Sequence, residues 1–425
     1  MKRMHTIVAR TCCAALGVAS VAAISPQNTA PAGFELPVPG GRYPVGTTSW
    51  HLTDRSRPET FADPGAFREV EVIAWYPAAA GGGTIAPYLR EGVAEVRPFA
   101  KLFGAESAFD KLASVRTHAE LDARPAATAR RLPVLVFSHG YTGLPSSYTA
   151  LLEDLASHGY AVLSVVHPYE STASTLDGGR VVSMNGSDGK YNQEIQNVLA
   201  EWGAEDETMA KVTRSADPAE QDRLLRGYLG TLHRTDIALR RWVDDTRLVL
   251  DRLQSLPANS VASRLAARLD MSRIGVFGHS MGGVTAAQFC LEDRRCKAAM
   301  NLDGIPQYGT MIDQVMPKPF LMVYSARPGR AGASDPIYRK AARRYYRLDV
   351  RDTGHLEFTD MVFWGGPLRE RPILQAIAPA RAAAITAAIA RQYFDQELLG
   401  QRSALLAGTA EFPEVTLKQV SPLAR

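Results

Sequence analysis

The stretch Gly278-His279-Ser280-Met281-Gly282 constrains this chain most, because an apolar run, Ile274-Gly275-Val276-Phe277, leads into it and a helix-like run, Val284-Thr285-Ala286-Ala287, leads out. A serine held on a tight turn between a buried strand and a helix needs Gly two residues before it and two after, since a Cβ at either place collides with the neighbouring strand or helix. Its hydroxyl then stands at a helix N-terminus, beside backbone N–H groups that can hold a developing negative charge. The plain alternative is a Gly-rich strand-to-helix connection without chemistry. The flanking strand and helix signals favour the first reading.

From about residue 41 strand-like and helix-like segments alternate, which predicts an α/β domain over 41–400 with a mostly parallel central sheet flanked by helices. The strand candidates are Glu69–Tyr76, Leu132–Ser138, Tyr160–Val166, Arg273–Gly278, Lys297–Leu302, Pro319–Ser325 and Tyr346–Val350. Several are continuously apolar, as strands buried on both faces should be. Ser146 or Ser147 is placed to cap a helix reading YTALLEDLAS that stops at His158-Gly159. Leu239, Trp242, Val243, Thr246, Val249 or Leu250, and Leu253 recur at helical spacing and predict a core-facing helix ending before Pro257. A last helix is expected over Ile373–Phe394, open to a break at Pro379, with 401–425 as a C-terminal tail. Two stretches, 79–131 and 171–235, read as insertions over the strand ends; the second is either a helical cap or lid, or a solvated loop.

The first residues, MKRMHTIVAR, are basic, the apolar stretch TCCAALGVASVAAI follows, and SPQNTAPAG then breaks any helix. That layout predicts a signal peptide over about residues 1–24 and a secreted protein, periplasmic or extracellular. No later apolar run reaches the roughly 18 residues of a membrane span. Loss of the leader removes Lys2, Arg3 and Arg10 and no acid, so the formal charge falls from +4 to +1. No basic surface for nucleic acid is therefore expected. Cys290 and Cys296 remain, six apart in CLEDRRC, and in an oxidising compartment they are expected to form a disulfide, the alternative being two buried thiols. No histidine or second cysteine pair stands at ligand spacing near them, so no metal site is expected.

A serine hydroxyl needs a base to take its proton and a carboxylate to hold that base in the right tautomer. One histidine follows Ser280 in the chain, His355 in RDTGHLEF, just beyond the last strand candidate. Its bland alternative is a surface loop residue. His139 and His279 flank turns and read as turn-packing residues. For the acid, Asp303 in NLDG ends the strand after the serine's helix, whereas Asp335 lies in a long Gly-rich loop, where it reads as a helix N-cap ahead of Pro336. Asp303 is preferred because a strand end would hold it fixed. An oxyanion site needs two N–H groups: Met281 supplies one, and Tyr141, after the strand-ending His139-Gly140, is the best candidate for the other.

Together, VFSHGYTGLPSSYTALLEDLASHGYAVLSVVHP, GHSMGG, NLDG and TGHLEFTD resemble the α/β-hydrolase superfamily, specifically the branch of secreted platelet-activating factor acetylhydrolases and related bacterial lipases. The resemblance implies an α/β-hydrolase fold and hydrolysis of carboxylic esters without metal or other cofactor. The partner it implies is a small-molecule or lipid ester; for the acetylhydrolases, it is a phospholipid with a short or oxidised acyl chain. It places the nucleophile on Ser280, the acid on Asp303, the base on His355 and the oxyanion donors on Tyr141 and Met281. The same machinery would serve a polyester or cutin hydrolase. A hydrolase-fold binding protein without catalysis is the alternative of a different class, and the presence of all three residues weighs against it.

Overall fold

The computed structural model describes residues 34–422 apart from 63, 128–130, 187–188, 306–308, 366, 371–372 and 410. The leader expected over residues 1–24 lies outside the described residues. The first half of the chain forms β1 (Val45–Pro58), β2 (Phe67–Pro77), β3 (Ile85–Pro87), α1 (Val93–Lys101), β4 (Arg116–Leu121), β5 (Leu132–Ser138), α2 (Thr149–Ser157), β6 (Ala161–Val166), β7 (Ala173–Leu176) and β8 (Arg180–Ser183). Five helices follow: α3 (Gln193–Glu201), α4 (Glu205–Arg214), α5 (Pro218–Leu229), α6 (His233–Arg252) and α7 (Val261–Ala266). The rest is β9 (Leu269–His279), α8 (Met281–Glu292), β10 (Cys296–Leu302), β11 (Met316–Tyr324), α9 (Asp335–Ala341), β12 (Ala342–Val350), α10 (Pro367–Glu370), α11 (Pro379–Leu399) and β13 (Val415–Pro422).

The main sheet runs β13-β12-β11-β10-β9-β5-β6-β2-β1-β4-β3. From β12 to β6 every neighbouring pair is parallel, whereas β2 pairs antiparallel with β6 and β13 antiparallel with β12. Alternation along β5 shows how the faces are covered. Val134 and Val136 pack with Leu239 and Trp242 of α6 and Phe289 of α8, while Leu135 and Phe137 pack with Leu151 and Leu155 of α2 and Ile385 and Phe394 of α11. Both faces are thus covered, and β5 and β6 are buried throughout and mostly apolar.

All seven expected strands are present, Leu132–Ser138 with the expected ends and the other six with shifted ones. The strands that the sequence pattern did not reveal are the shorter or more polar ones: β1 carries Thr, Ser, His, Asp and Arg in a half-buried alternation and still pairs antiparallel along β2. The stretch 79–131, expected over the strand ends, instead adds β4 and β3 to the sheet edge. Its aromatic residues pack behind: Phe109 lies 5.4 Å from Trp364, whose Nε1 donates to Tyr88 Oη at 3.1 Å. The solvated-loop alternative for 171–235 is overturned, because α3 to α5 bury Ile195, Val198, Met209, Val212 and Leu225. The residues expected as a tail supply β13, a strand of the sheet.

Two helix starts also differ. Ser146 and Ser147 do not cap α2; Ser146 Oγ donates to Glu95 Oε2 at 2.8 Å, Ser147 Oγ to Leu144 O at 2.7 Å, and the helix end takes Asp360 Oδ2 on Ala150 N at 3.2 Å. A carboxylate 210 residues away thus does what a local hydroxyl was expected to do. Pro379 does not break the last helix but begins it, as proline's missing N–H and fixed φ allow at the first position.

Candidate active site

Ser280 lies between β9 and α8 with φ 55° and ψ −126°, a conformation that an L-residue adopts only under constraint. The constraint is visible in its glycines. A Cβ on Gly278 would fall 2.3 Å from Gly282 C, and one on Gly282 would fall 2.1 Å from Ser138 O. Ser280 N donates to Leu302 O at 2.8 Å, which ties the turn to the end of β10. The residue is 8% exposed and faces the first turn of α8, where helix amides have no partner within the helix. Cys290 and Cys296 are joined by a disulfide that links the end of α8 to the start of β10.

Asp303 follows β10 with φ 57°, and His355 lies in the loop after β12. His355 Nδ1 stands 2.7 Å from Asp303 Oδ2, and Asp303 Oδ1 accepts from Ser325 N at 2.9 Å. A third group, absent from the sequence reading, completes the carboxylate: Arg327 Nη2 lies 2.7 Å from the same Oδ2 and donates to Asp303 O at 3.2 Å. Burial alone would raise this carboxyl, yet Arg327 and then the His355 hydrogen bond hold it well below the ordinary carboxylate range. Burial, and after it the Arg327 charge, hold His355 below the ordinary imidazole value of 6.5, against the pull of Asp303. The imidazole is therefore neutral at neutral pH. Asp335, the rival acid, is elsewhere: it opens α9, with Ser334 rather than itself at the cap position, and its carboxylate meets Tyr345 Oη at 2.6 Å and Arg347 Nη1 at 2.8 Å.

The serine, the base and the β5 loop are wired together by His279. Its Nε2 lies 2.8 Å from His355 O, so Nε2 carries the proton and donates. Its Nδ1 then accepts from Tyr148 Oη at 2.9 Å, and Tyr148 Oη accepts from Gly140 N at 3.0 Å. Burial drives His279 well below the ordinary imidazole range and so keeps it neutral, while the His355 carbonyl fixes which nitrogen carries the proton. Gly140 abuts the serine, since a Cβ there would sit 3.4 Å from Ser280 Cβ. Amides around Tyr141 and Met281 are committed: Gly140 N to Tyr148, Thr142 N to Glu170 O at 2.8 Å, Gly283 N to Ser280 O at 2.9 Å. Tyr141 and Met281, the two expected donors, are both buried and follow Gly140 and Ser280 directly in the chain.

The helices of 171–235 reach both sides of this centre. The Trp202 ring packs 5.4 Å from that of Tyr141, on the β5 side. On the other side, buried Arg330 of the Arg327 loop pairs with Glu205 and Asp206 of α4, and Thr213 Oγ1 donates to Gly329 O at 3.4 Å. Among the described residues there is no cluster of three or more His, Cys, Asp or Glu side chains able to hold a metal ion, and no helix is long and apolar enough to cross a membrane.

The sequence matches the family described as platelet-activating factor acetylhydrolase, isoform II, over residues 86–217 and 242–370. It is 27% identical over 273 residues to a platelet-activating factor acetylhydrolase of Cavia porcellus, covering 62% of this chain and 58% of that protein. A probable 1-alkyl-2-acetylglycerophosphocholine esterase of Arthroderma benhamiae is 21% identical over 306 residues, covering 67% and 65%. The chain thus spans between half and two thirds of the length of these curated relatives. A solved ferulic acid esterase from Streptomyces cinnamoneus superposes with a TM-score of 0.69 at 31% identity, covering 91% of this chain and 100% of that one.

Proposed function

Since the chain belongs to the platelet-activating factor acetylhydrolase isoform II family, we propose that it is a secreted serine hydrolase that cleaves carboxylic esters through an acyl-enzyme. The observation that carries this reading is the 2.7 Å contact of His355 Nδ1 with Asp303 beside a serine held at φ 55° on the β9–α8 turn. His355 Nε2 takes the Ser280 proton as Oγ attacks the ester carbonyl, and the Tyr141 and Met281 N–H groups hold the oxyanion. His355 then protonates the leaving alcohol and afterwards activates the water that releases the acid. Asp303 keeps the imidazole in the Nδ1–H tautomer and stabilises its cation.

A cap anchored on both the Tyr141 and the Arg327 loops supports a bounded ester substrate over an extended polyester chain. Two acyl classes follow from the relatives: acetyl on a glycerophospholipid, and an aromatic acyl group of the feruloyl kind. The test is the rate on p-nitrophenyl esters from acetate to palmitate, on a 2-acetyl phospholipid and on methyl ferulate, with Ser280→Ala as the reference. Activity on a short ester that falls by about 10⁴-fold or more in Ser280→Ala is expected. Equal rates in the two proteins on every ester would sink the reading, and the preferred acyl group decides between the classes.

A further inference from the structure

General base catalysis by serine, histidine and aspartate does not require Arg327. Its guanidinium shares Asp303 Oδ2 with His355 Nδ1, each at 2.7 Å, and its Nε donates to Ser325 Oγ at 3.3 Å, so the residue is fixed at both ends of its fork. The side chain is 13% exposed, and its loop is tied to α4 through Arg330. We propose that Arg327 is a positioning residue that sets the acid limit of the reaction: by drawing on the oxygen that would stabilise the His355 cation, it keeps the base free of a proton in mildly acid solution. The proposal rests on the assignment of His355 as the base.

The charges facing His355 support it from each element around the ring. Asp303 at the end of β10 favours the imidazolium; Arg327 and, further off, Arg330 after β11 oppose it. His279 at the end of β9, its ring 4.4 Å away, is neutral. Glu357 on the histidine's own loop has its carboxylate turned to Gly354 N at 2.7 Å and to Gln375 N. Arg327 is the cation in direct contact with the Asp303–His355 pair.

The test is kcat/KM for p-nitrophenyl acetate against pH with the full-length secreted protein, for wild type, Arg327→Gln and Arg327→Lys, with Ser280→Ala alongside. Arg327→Gln should move the acid limb up by about one pH unit, and Arg327→Lys, which keeps the charge, should leave it near its wild-type place. The height of the plateau reports how well Asp303 is held and does not decide the matter; the position of the limb does. An unshifted limb in Arg327→Gln overturns the proposal. If that variant does not fold, the wild type still decides, because an acid limb at or above pH 6.5, the ordinary imidazole value, overturns it too. A surviving rate in Ser280→Ala would instead bring down the triad reading itself, so the two failures are told apart.

Discussion

Among the described residues, two groupings of Ser, His and Asp invite comparison: the proposed site of Ser280, His355 and Asp303, whose serine sits at a strand-to-helix turn, and a second, wholly buried one. The second is formed by Ser138 at the end of β5, His167 just after β6 and Asp245 in α6. Ser138 Oγ lies 3.2 Å from His167 Nε2, and His167 Nδ1 lies 2.9 Å from Asp245 Oδ2. Its His–Asp contact resembles that of His355 and Asp303, yet its surroundings differ. Ser138 lies in register between Val165 and Gly278 within the sheet, whereas Ser280 is thrown out at φ 55° before a helix. The His167 ring is stacked on Trp242 at 3.9 Å and 10°. Asp245 meets Arg68 through both nitrogens of its fork, at 2.7 and 3.2 Å, and Arg57 at 2.9 Å. The proposed site differs from this brace in the strained turn that places its serine before a helix. The three side-chain types alone do not distinguish them.

The brace still serves the site. His167 N donates to His139 Nε2 at 3.2 Å, and His139 Nδ1 in turn donates to Gly140 O at 2.7 Å, so the buried set holds the loop that carries Tyr141. The sharpest way to break the comparison is therefore to delete each hydroxyl. Ser280→Ala should cost about 10⁴-fold or more in kcat, whereas Ser138→Ala should keep kcat within about tenfold. A Ser138→Ala enzyme as inactive as Ser280→Ala, with an unchanged melting temperature, would give the buried set a part in the chemistry and end the distinction.

Proton uptake sharpens the contrast at a lower energy. Burial pushes His167 down to about 4, more than Asp245 pulls it up, from an ordinary value of 6.5. The unfolded chain then binds a proton that the folded one refuses, so this contribution to stability is fully present above pH 6.5 and is lost as pH falls towards about 4. Buried carboxyls such as Glu71, raised to about 7 by burial, act in the opposite sense, losing their contribution as pH rises. A difference between two proteins isolates the histidine. Against His167→Gln, the wild type should hold a stability advantage that shrinks by about 3 kcal/mol between pH 6.5 and 4, measured by denaturant unfolding. An advantage constant across that range would mean that His167 is not held neutral by its surroundings, and the two histidines would then differ less than their settings imply.

The legibility of these two sets in the sequence differs for a physical reason. Ser280, Asp303 and His355 sit at strand ends marked by glycine, and turn geometry is local: a Cβ that cannot fit leaves its trace within two residues. Strands such as Leu132–Ser138 and Tyr160–Val166 are legible for a local reason too, since burial on both faces requires a nearly continuous apolar run. Ser138, His167 and Asp245 carry no such mark, because what joins them is the packing of α6 on the sheet across 78 residues of chain between His167 and Asp245. Arg327 was missed likewise; SARPGR reads as a polar loop, and only the fold brings its guanidinium to Asp303. The Asp360 contact that replaces a local cap on α2, and β13 within the expected tail, are tertiary in the same sense. His139 and His279 do pack turns as expected, but they do so by wiring one loop to another.

That wiring gives the smallest and most specific test. Tyr148 Oη accepts from Gly140 N and donates to His279 Nδ1, whose other nitrogen holds the carbonyl of His355, so one hydroxyl joins the loop of the base to the loop of an oxyanion donor. Tyr148→Phe keeps the ring, which packs 4.7 Å from Phe137, and removes the junction. It leaves a buried amide and a buried imidazole nitrogen without their partner, at a cost of about 1–3 kcal/mol in unfolding free energy. If the junction only stabilises the fold, kcat is untouched at temperatures where the variant is folded. If it also registers Gly140-Tyr141 against His355, kcat falls by about tenfold while KM stays, because the misplaced amide matters only once the oxyanion forms. The second outcome is expected, since the bridge runs from the carbonyl of His355 itself to the amide of Gly140, next to the proposed oxyanion donor Tyr141.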